Sequence, residues 1–404
     1  MSEINNDPVV MEISAFSMIH HKLKFLASVI KDESGAGDTL VHISCHKKID
    51  NTGKEASIIR FSTDHMIICE TNPLYKYGGA ILDKAVSVNV YDLFNMVNQC
   101  MDELISFWVD DEDPDNIELV VSSYHNDEAD FDELEFRIAA KLYTDVIEIT
   151  TDEVPVYKLQ LSNVLTYTAT KELNIENKCD AIQLCFTDGK LELYSEYNGV
   201  IAKLKMKETD NINYGENLID IKIPFNIFNL MVSTGDVTKP IELHVYANNY
   251  FTLTTTDYAF HCKYEPVTVN KALFNDVGNT IFIIDPVQGL GSIDRINKIN
   301  VRSPSSVITY DKVSDGIGDF VTVYPGKYSV NVRAFMATIS DKSISFDGDL
   351  FADLFTNTGV DAIQINEISE GILYIGYENQ YMYKALYYNH AEFQSYREKI
   401  IKQS

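Results

Sequence analysis

The sequence is poor in basic residues and contains no long apolar run. Lys and Arg together number 33 against 60 Asp and Glu, so the formal net charge is −27 at pH 7. A protein this acidic does not bind polyanions through its total charge, and it should not adhere to anionic membranes. No segment approaches the roughly 18 consecutive apolar residues that a membrane-spanning helix requires. Any contact with nucleic acid must therefore come from a locally basic surface.

Cysteine is also scarce, with six residues in a chain of 404. The cysteines show no CxxC spacing and lie in apolar runs, as buried, reduced cysteines do. We therefore expect neither disulfides nor a zinc site. The first residues lack the basic and apolar regions of a secretion signal, so we expect a cytoplasmic protein. The six are Cys45, Cys69, Cys100, Cys179, Cys185 and Cys262.

Motifs that carry catalysis or cofactor binding are missing. The Asp347-Gly348-Asp349 segment is explained most simply by an aspartate that caps the following helix. The acidic run 110–115 lacks the glycine and the distal glutamate of a calcium loop. Gly289-Leu290-Gly291 lacks the third glycine of a dinucleotide-binding loop. We therefore expect a protein without enzymatic activity, metal or cofactor.

The alternation of apolar residues reveals a supersecondary unit that repeats along the chain. In residues 218–264, a strand is followed by a short helix from Pro224 and then by three hairpin-linked strands. The same order appears in residues 85–141 and 343–387, and matching first halves precede each of these units. The third first half is blurred, because residues 301–340 are only loosely strand-like.

This repetition predicts an α+β fold of antiparallel sheets, each with one buried face. Two strand–helix–three-strand halves make up each predicted domain, and three such domains follow one another. A C-terminal tail continues beyond the last strand. The predicted boundaries are 1–146, 155–266, 279–388 and, for the tail, 389–404.

The doubled repeats resemble the bacterial-type β sliding clamp of DNA replication, most strongly in residues 180–184, 188–193 and 219–224. The resemblance implies a head-to-tail homodimer that closes into a ring of six domains, with helices inside and sheets outside. It implies a processivity factor that encircles double-stranded DNA without reading its sequence. DNA polymerase and a clamp loader would bind it through short peptide motifs. The Asn-, Ile- and Tyr-rich, arginine-poor composition suggests an AT-rich genome, such as that of a phage.

If helices line a DNA channel, each should bury an apolar stripe and present neutral or basic residues opposite. The first helix fits, since Leu23 and Leu26 share one stripe and the basic residues fall on the other side. Asp349 and Asp353 break the rule in the last helix. Lysines that simply form the solvated face of a helix remain the alternative interpretation. The candidate DNA-binding residues are His21, Lys24, Lys31, Lys171, Arg295 and Lys298.

The resemblance also implies an apolar groove between the second and third domains that binds partner peptides. Residues 196–199 depart from the family's Thr-Asp-Gly-like turn, and the tail could shade or replace the groove. Ordinary turn or core roles are the alternative for the same residues. The positions that match the groove are Cys179, Glu196, Asn198, Gly199, Ile201, Pro266, Tyr383, Ala385, Leu386 and Tyr387.

A structural or interaction protein is the competing interpretation, either an acidic DNA mimic or a virion component. A mimic predicts a monomer whose acids align on one face. A clamp predicts a dimer of about 92 kDa, twice the 45.8 kDa of the chain, whose end domains pair edge to edge.

Overall fold

The structure is a computed structural model, and it shows an α+β fold built from antiparallel sheets. No helix in the part of the chain that it describes is long and apolar enough to cross a membrane. The described residues are 9–12, 23, 26–27, 40–49, 55–63, 68–70, 84–100, 104–124, 134–144, 154–175, 178–206, 218–234, 241–254, 259–284, 307–314, 319–325, 330–337, 344–347, 350, 362–378 and 382–395.

The described strands are two to ten residues long. In chain order they are β1 Val9–Glu12, β2 Leu40–Ile49, β3 Glu55–Ser62, β4 Ile68–Glu70, β5 Val86–Asn89, β6 Leu104–Asp110, β7 Glu118–Tyr124, β8 Leu134–Ala139, β9 Lys141–Leu142, β10 Tyr157–Leu161, β11 Ala181–Thr187, β12 Lys190–Tyr197, β13 Val200–Met206, β14 Ile221–Pro224, β15 Ile241–Val245, β16 Tyr250–Thr254, β17 Ala259–Lys263, β18 Asn279–Ile284, β19 Val307–Ser314, β20 Asp319–Pro325, β21 Val330–Ala337, β22 Ile344–Asp347, β23 Ile363–Ser369, β24 Ile372–Glu378 and β25 Met382–Asn389. The described helices with defined bounds are α1 Val90–Gln99, α2 Asn163–Leu173, α3 Phe225–Thr234 and a short 3-10 helix, Lys271–Phe274. Residues 23, 26, 27, 350 and 390–395 are also helical.

The described strands form two compact units. One unit contains a four-stranded sheet, β1-β6-β7-β8, and a nine-stranded sheet, β10-β15-β16-β17-β4-β3-β2-β5-β9. The other contains a twelve-stranded sheet, β14-β11-β12-β13-β25-β24-β23-β18-β21-β20-β19-β22. The candidate groove residues all belong to this second unit.

The strand pairing shows an exchange within each predicted repeat. The first strand of each half joins the three later strands of the other half. Thus β1 pairs with β6 and β5 with β2, β10 with β15 and β14 with β11, and β18 with β23 and β22 with β19. The predicted strand order is confirmed, and the blurred half contains β19, β20 and β21. Its alternation is weak because Asp311 and Lys312 lie in the middle of β19.

Helix α1 begins where the predicted second half of the first repeat requires a helix. The Asn89 side chain caps it by accepting hydrogen bonds from the backbone N–H groups of Tyr91 (2.9 Å) and Asp92 (3.3 Å). Val90, Leu93 and Val97 form its buried stripe, while Asn95, Asn98 and Gln99 are exposed. The Tyr91 hydroxyl donates to the carbonyl of Ala27, which is itself helical and buried.

Helix α2 is joined to strands β24 and β25 by a buried ion pair. The Glu172 carboxylate accepts hydrogen bonds from the Tyr377 hydroxyl at 2.6 Å and from Lys384 Nζ at 2.9 Å. The side chains of Glu172 and Lys384 are only 9% and 5% exposed. Burial and the adjacent Glu172 charge raise the pKa of Tyr377, so its hydroxyl stays protonated as a donor. Removing either charge would leave the other buried without its partner.

We predict that Lys384→Met and Glu172→Gln each lower the free energy of unfolding by about 3–5 kcal/mol, because each strands a buried polar or charged group. The double variant Glu172→Met/Lys384→Met should lose less than the sum of the two. Urea unfolding followed by circular dichroism measures both effects. Lys171→Met, an exposed change on the same helix, is the control. Single-variant losses below about 1 kcal/mol would show that this pair does not stabilise the sheet.

Candidate functional site

Of the candidate DNA-binding residues, Lys171 lies in the part of the chain that the structure describes. It is exposed in the last turn of α2, where a positive charge interacts favourably with the helix dipole. Its acidic neighbour Glu172 is withdrawn from solvent by Lys384. The exposed face of α2 therefore carries Lys171 and the largely exposed Tyr167. Glu172, the only acidic residue of this helix, is not on that face. His21, Lys24, Lys31, Arg295 and Lys298 lie outside the described residues, as do Asp349 and Asp353.

The candidate groove is organised by the antiparallel pairing of β13 with β25. The pairing runs from Val200 opposite Tyr388 to Met206 opposite Met382. Because side chains alternate between the two faces of a sheet, directly opposed residues share a face. The pairs that share the groove face are Ile201 with Tyr387, Lys203 with Ala385 and Lys205 with Tyr383.

An aromatic patch covers this face of the sheet. The Phe274 ring packs edge-on against Tyr194, with centroids 5.7 Å apart, and against Tyr374 at 6.3 Å. Tyr383 and Tyr387 are only partly buried at its border, so solvent-accessible aromatic surface remains there. Buried members of the patch are Cys185, Tyr194, Ile201, Val269, Phe274, Tyr374 and Ala385, and partly buried ones are Val267, Leu273, Ile368, Tyr383 and Tyr387.

Residues 266–274 run along the patch face of the sheet, and this path places Phe274 in the patch. The buried Gln183 amide oxygen accepts hydrogen bonds from the backbone N–H groups of Thr268 (2.8 Å) and Val269 (3.0 Å). Its amide nitrogen donates to the Thr268 hydroxyl at 3.2 Å. Farther along, Lys271 Nζ donates to Asp220 at 2.7 Å. These bonds satisfy the buried amide and fix the course of the segment.

Glu192, which lies opposite Cys185 on the patch face, holds the Tyr194 ring in place through a hydrogen bond. One carboxylate oxygen accepts from Lys203 Nζ at 2.9 Å, and the other accepts from the hydroxyls of Tyr194 (2.7 Å) and Thr187 (2.9 Å). Burial alone would raise the pKa of Glu192, but the hydrogen bonds from Lys203, Tyr194 and Thr187 outweigh it and lower that pKa. The glutamate is therefore ionised, and Lys203 Nζ lies 5.6 Å from the centre of the Tyr194 ring.

A cavity of about 430 Å³ opens beside the aromatic patch. Tyr383 belongs to both features, and Lys203, which lines the cavity, lies 5.6 Å from the Tyr194 ring centre and 5.7 Å from that of Phe274. Lys203 and, at 3.8 Å, Lys205 both pair with Glu192. The three lysines of the lining outnumber its two glutamates, so the cavity carries a small positive excess in an otherwise acidic chain. An acidic group next to an apolar anchor matches this surface in charge. The cavity is lined by Lys190, Glu192, Lys203, Lys205, Met206, Glu378 and Tyr383.

The remaining candidate groove residues lie around the patch or away from it. Asn198 and Gly199 form the two-residue turn between β12 and β13, with φ angles of +44° and +82°. Glu196 is exposed near the end of β12, and Pro266 is exposed where the 266–274 segment starts. The structure thus places Ile201, Tyr383, Ala385 and Tyr387 together, with the turn at one end.

Two candidates lie elsewhere. Leu386 is buried on the opposite face of β25 from Ala385 and Tyr387, as strand alternation requires. Cys179 is buried after the end of α2, where its thiol donates to the Leu173 carbonyl at 3.1 Å. Burial raises the pKa of this thiol, which is therefore an unreactive protonated group.

Sequence reasoning missed the aromatic residues at the centre of the patch. Tyr194 had a usable signal, because it lies two residues before Glu196 and therefore on the same face of β12. Phe274 had none, since its contacts depend on the path of the segment that follows Pro266. Among the described residues, no group of three or more His, Cys, Asp or Glu side chains is arranged to hold a metal ion.

No protein-family model matches the sequence, and no curated protein matches it either. Solved structures do match, over nearly the whole chain. The DNA polymerase III beta chain of Streptococcus pneumoniae is 14% identical with a TM-score of 0.64, covering 93% of this chain and 97% of its own.

Two further structures give the same result. DNA polymerase III subunit beta of Borrelia burgdorferi, solved with a natural product, is 14% identical with a TM-score of 0.66, covering 95% of this chain and 98% of its own. The DNA polymerase sliding clamp of Bacillus subtilis is 10% identical with a TM-score of 0.67, covering 95% and 99%. At such identities the likeness establishes the fold, and this chain has the fold of the bacterial β sliding clamp.

Proposed function

We propose that the protein is a DNA sliding clamp, a processivity factor that encircles duplex DNA and tethers the replicative polymerase. The match to clamp structures over 93–95% of this chain and at least 97% of theirs carries the proposal, because it spans nearly the whole length of both chains. The protein would act without catalysis, in the cytoplasm of a bacterial or phage-infected cell.

The proposed mechanism is topological. Three domains, 1–146, 155–266 and 279–388, would pair head to tail with those of a second copy and close a ring around DNA. Contacts between a few basic side chains and phosphates are weak, screened by salt and independent of sequence, so they permit sliding. Ring closure, rather than net attraction, would keep the protein on DNA. A net charge of −27 is compatible with retention by ring closure, because a clamp that must slide should not bind DNA tightly.

Lys171 is the described residue that supports the DNA-facing role of the helices. Its helix exposes a basic and an aromatic side chain while its only acid is neutralised internally. The exposed amides of α1, Asn95, Asn98 and Gln99, add neutral polar groups to the same kind of face. The exposed face of α2 would accept a phosphate backbone without acidic repulsion, whereas α1 also exposes Asp92 in its first turn.

The aromatic patch and the adjoining cavity are the proposed partner-binding surface. Partly buried Tyr383 and Tyr387 offer aromatic area for an apolar anchor, the kind of contact that dominates binding energy in many interfaces. Lys190 and Lys205 would receive an acidic residue next to that anchor. The polymerase and the clamp loader would each present such a short peptide.

We predict that replacing Lys24, Lys31, Lys171, Arg295 and Lys298 by Glu lowers retention on DNA at least about tenfold, because reversed charges repel the phosphates. Gel filtration of the protein with a nicked circular plasmid, before and after linearisation, measures retention. The wild-type protein should co-elute with the circular plasmid and should dissociate from the plasmid after linearisation.

The control carries the same charge change at five exposed lysines on strands and loops: Lys141, Lys158, Lys178, Lys190 and Lys263. It should be retained like the wild type. If the helix variant is retained equally well on circular DNA, the assigned residues do not face DNA.

We predict that Tyr383→Ser/Tyr387→Ser raises the Kd of partner peptides about tenfold or more, through loss of aromatic contact area. Peptides selected from a random nine-residue library on the wild-type chain serve as probes, and fluorescence anisotropy gives the Kd. We expect selected sequences to combine aromatic or aliphatic residues with Asp or Glu.

Tyr167→Ser, which removes an exposed tyrosine from α2, is the matched control and should bind these peptides normally. Lys205→Glu should weaken the acidic peptides specifically. Selected peptides that bind all variants equally would place the partner surface elsewhere.

A further inference from the structure

The chain continues past β25 into a helix whose described residues are 390–395. The helix starts between two turns of the twelve-stranded sheet. The backbone N–H of Asn389 donates to the Gly199 carbonyl, and that of His390 donates to the Gly371 carbonyl, both at 2.9 Å. The segment is thereby fastened both to the β12–β13 turn and to the β23–β24 turn.

The start of this helix is capped by its own residues. The Asn389 amide oxygen accepts a hydrogen bond from the Glu392 backbone N–H at 3.3 Å, and its amide nitrogen donates to the Glu392 carboxylate at 3.4 Å. Asn389 is therefore the N-cap of the helix, and its side-chain amide also holds the Glu392 carboxylate. One turn later, Phe393 is fully buried, and its ring centre lies 5.7 Å from that of Tyr388. The Asn389 cap and the buried Phe393 ring together hold the helix against the sheet.

Gly199 leaves the room that the helix occupies. A Cβ atom built on Gly199 would lie 2.8 Å from Cβ of Glu392, closer than such atoms approach in proteins. The φ angle of +82° also disfavours any larger residue in this turn. Glu392 therefore lies directly against a candidate groove residue, and its charge, after burial, contributes to a raised pKa of Tyr387.

We propose that residues 390–395 are a built-in cover over the Asn198–Gly199 turn, next to the Tyr387 end of the partner-binding surface. A partner that uses this end must first displace the cover. The inference rests on the proposed function only in identifying the covered surface as the one that partners use. The docking of residues 390–395 on this chain does not depend on the proposed function.

The cover is suited to reversible release. Isolated helices shorter than about 12–15 residues are marginal in water. Docking through the buried Phe393 therefore stabilises the described turns of this helix. Phe393 and the Asn389–Glu392 cap are its main anchors. Its covalent link to β25 supplies a high effective concentration, which keeps the surface closed until a competitor binds.

Full-length Phe393→Asp tests the proposal, because a charge at this buried position expels the cover while the surface beneath it stays intact. The probe is a fluorescein-labelled synthetic peptide of residues 389–404, and anisotropy measures its binding. The variant should bind the peptide at least tenfold more tightly than the wild type, whose surface is occupied by its own segment. Ala391→Asp places the same charge at an exposed position of the helix and should behave like the wild type.

Gly199→Ala in the Phe393→Asp background should abolish peptide binding, which assigns the binding to this turn. If Phe393→Asp does not fold, as judged by circular dichroism, Glu392→Lys removes the carboxylate that accepts from the Asn389 side chain, at an exposed position, and should give a smaller gain. Equal binding to wild type and variants, or no binding to either variant, would overturn the proposal. Because the assay contains neither DNA nor polymerase, its failure would leave the clamp function untouched, and failure of DNA retention would leave the cover untouched.

Discussion

The pairing of β13 with β25 is the interaction on which the rest of the candidate site depends. Hydrogen bonds along Val200–Met206 and Met382–Asn389 merge strands of the predicted second and third repeats into one sheet. Only this register brings Ile201 beside Tyr387 and gives Phe274 a continuous surface to pack on. The same pairing ends at the Gly199 turn, where the C-terminal helix begins. A shift of one residue would turn every side chain of β25 to the other face.

Two buried glutamates show how an acidic chain builds this region without unpaired negative charge. Glu172 is neutralised by Lys384 on the helix side of the sheet, and Glu192 by Lys203 on the patch side. In both cases a tyrosine hydroxyl adds a hydrogen bond to the carboxylate. Buried pairs of this kind contribute little net stability, but they are costly to break, so they specify one arrangement of helix and strands.

Much of the fold could be predicted from the sequence, and less of the site. Strand order and the helix beginning near Tyr91 follow from local alternation and capping, which neighbouring residues determine. Ile201, Tyr383, Ala385 and Tyr387 came from family resemblance, which supplied positions but not strand faces, so Leu386 was included with them. Phe274 could not be found, because its contacts join segments far apart in sequence. Strand β19 is blurred in the sequence because Asp311 and Lys312 interrupt its apolar alternation, and its pairing with β20 and β22 defines it.

Ring closure is the claim that gives the remaining features their purpose, since weak phosphate contacts retain a clamp only if the ring is closed. Light scattering on the eluting gel-filtration peak, with negative-stain images of the same fraction, tests it most directly. We expect a mass of about 92 kDa, twice the 45.8 kDa of the chain, and closed rings with six lobes. A 45.8 kDa monomer that persists at high concentration and shows no rings would contradict the account and favour an acidic DNA mimic instead.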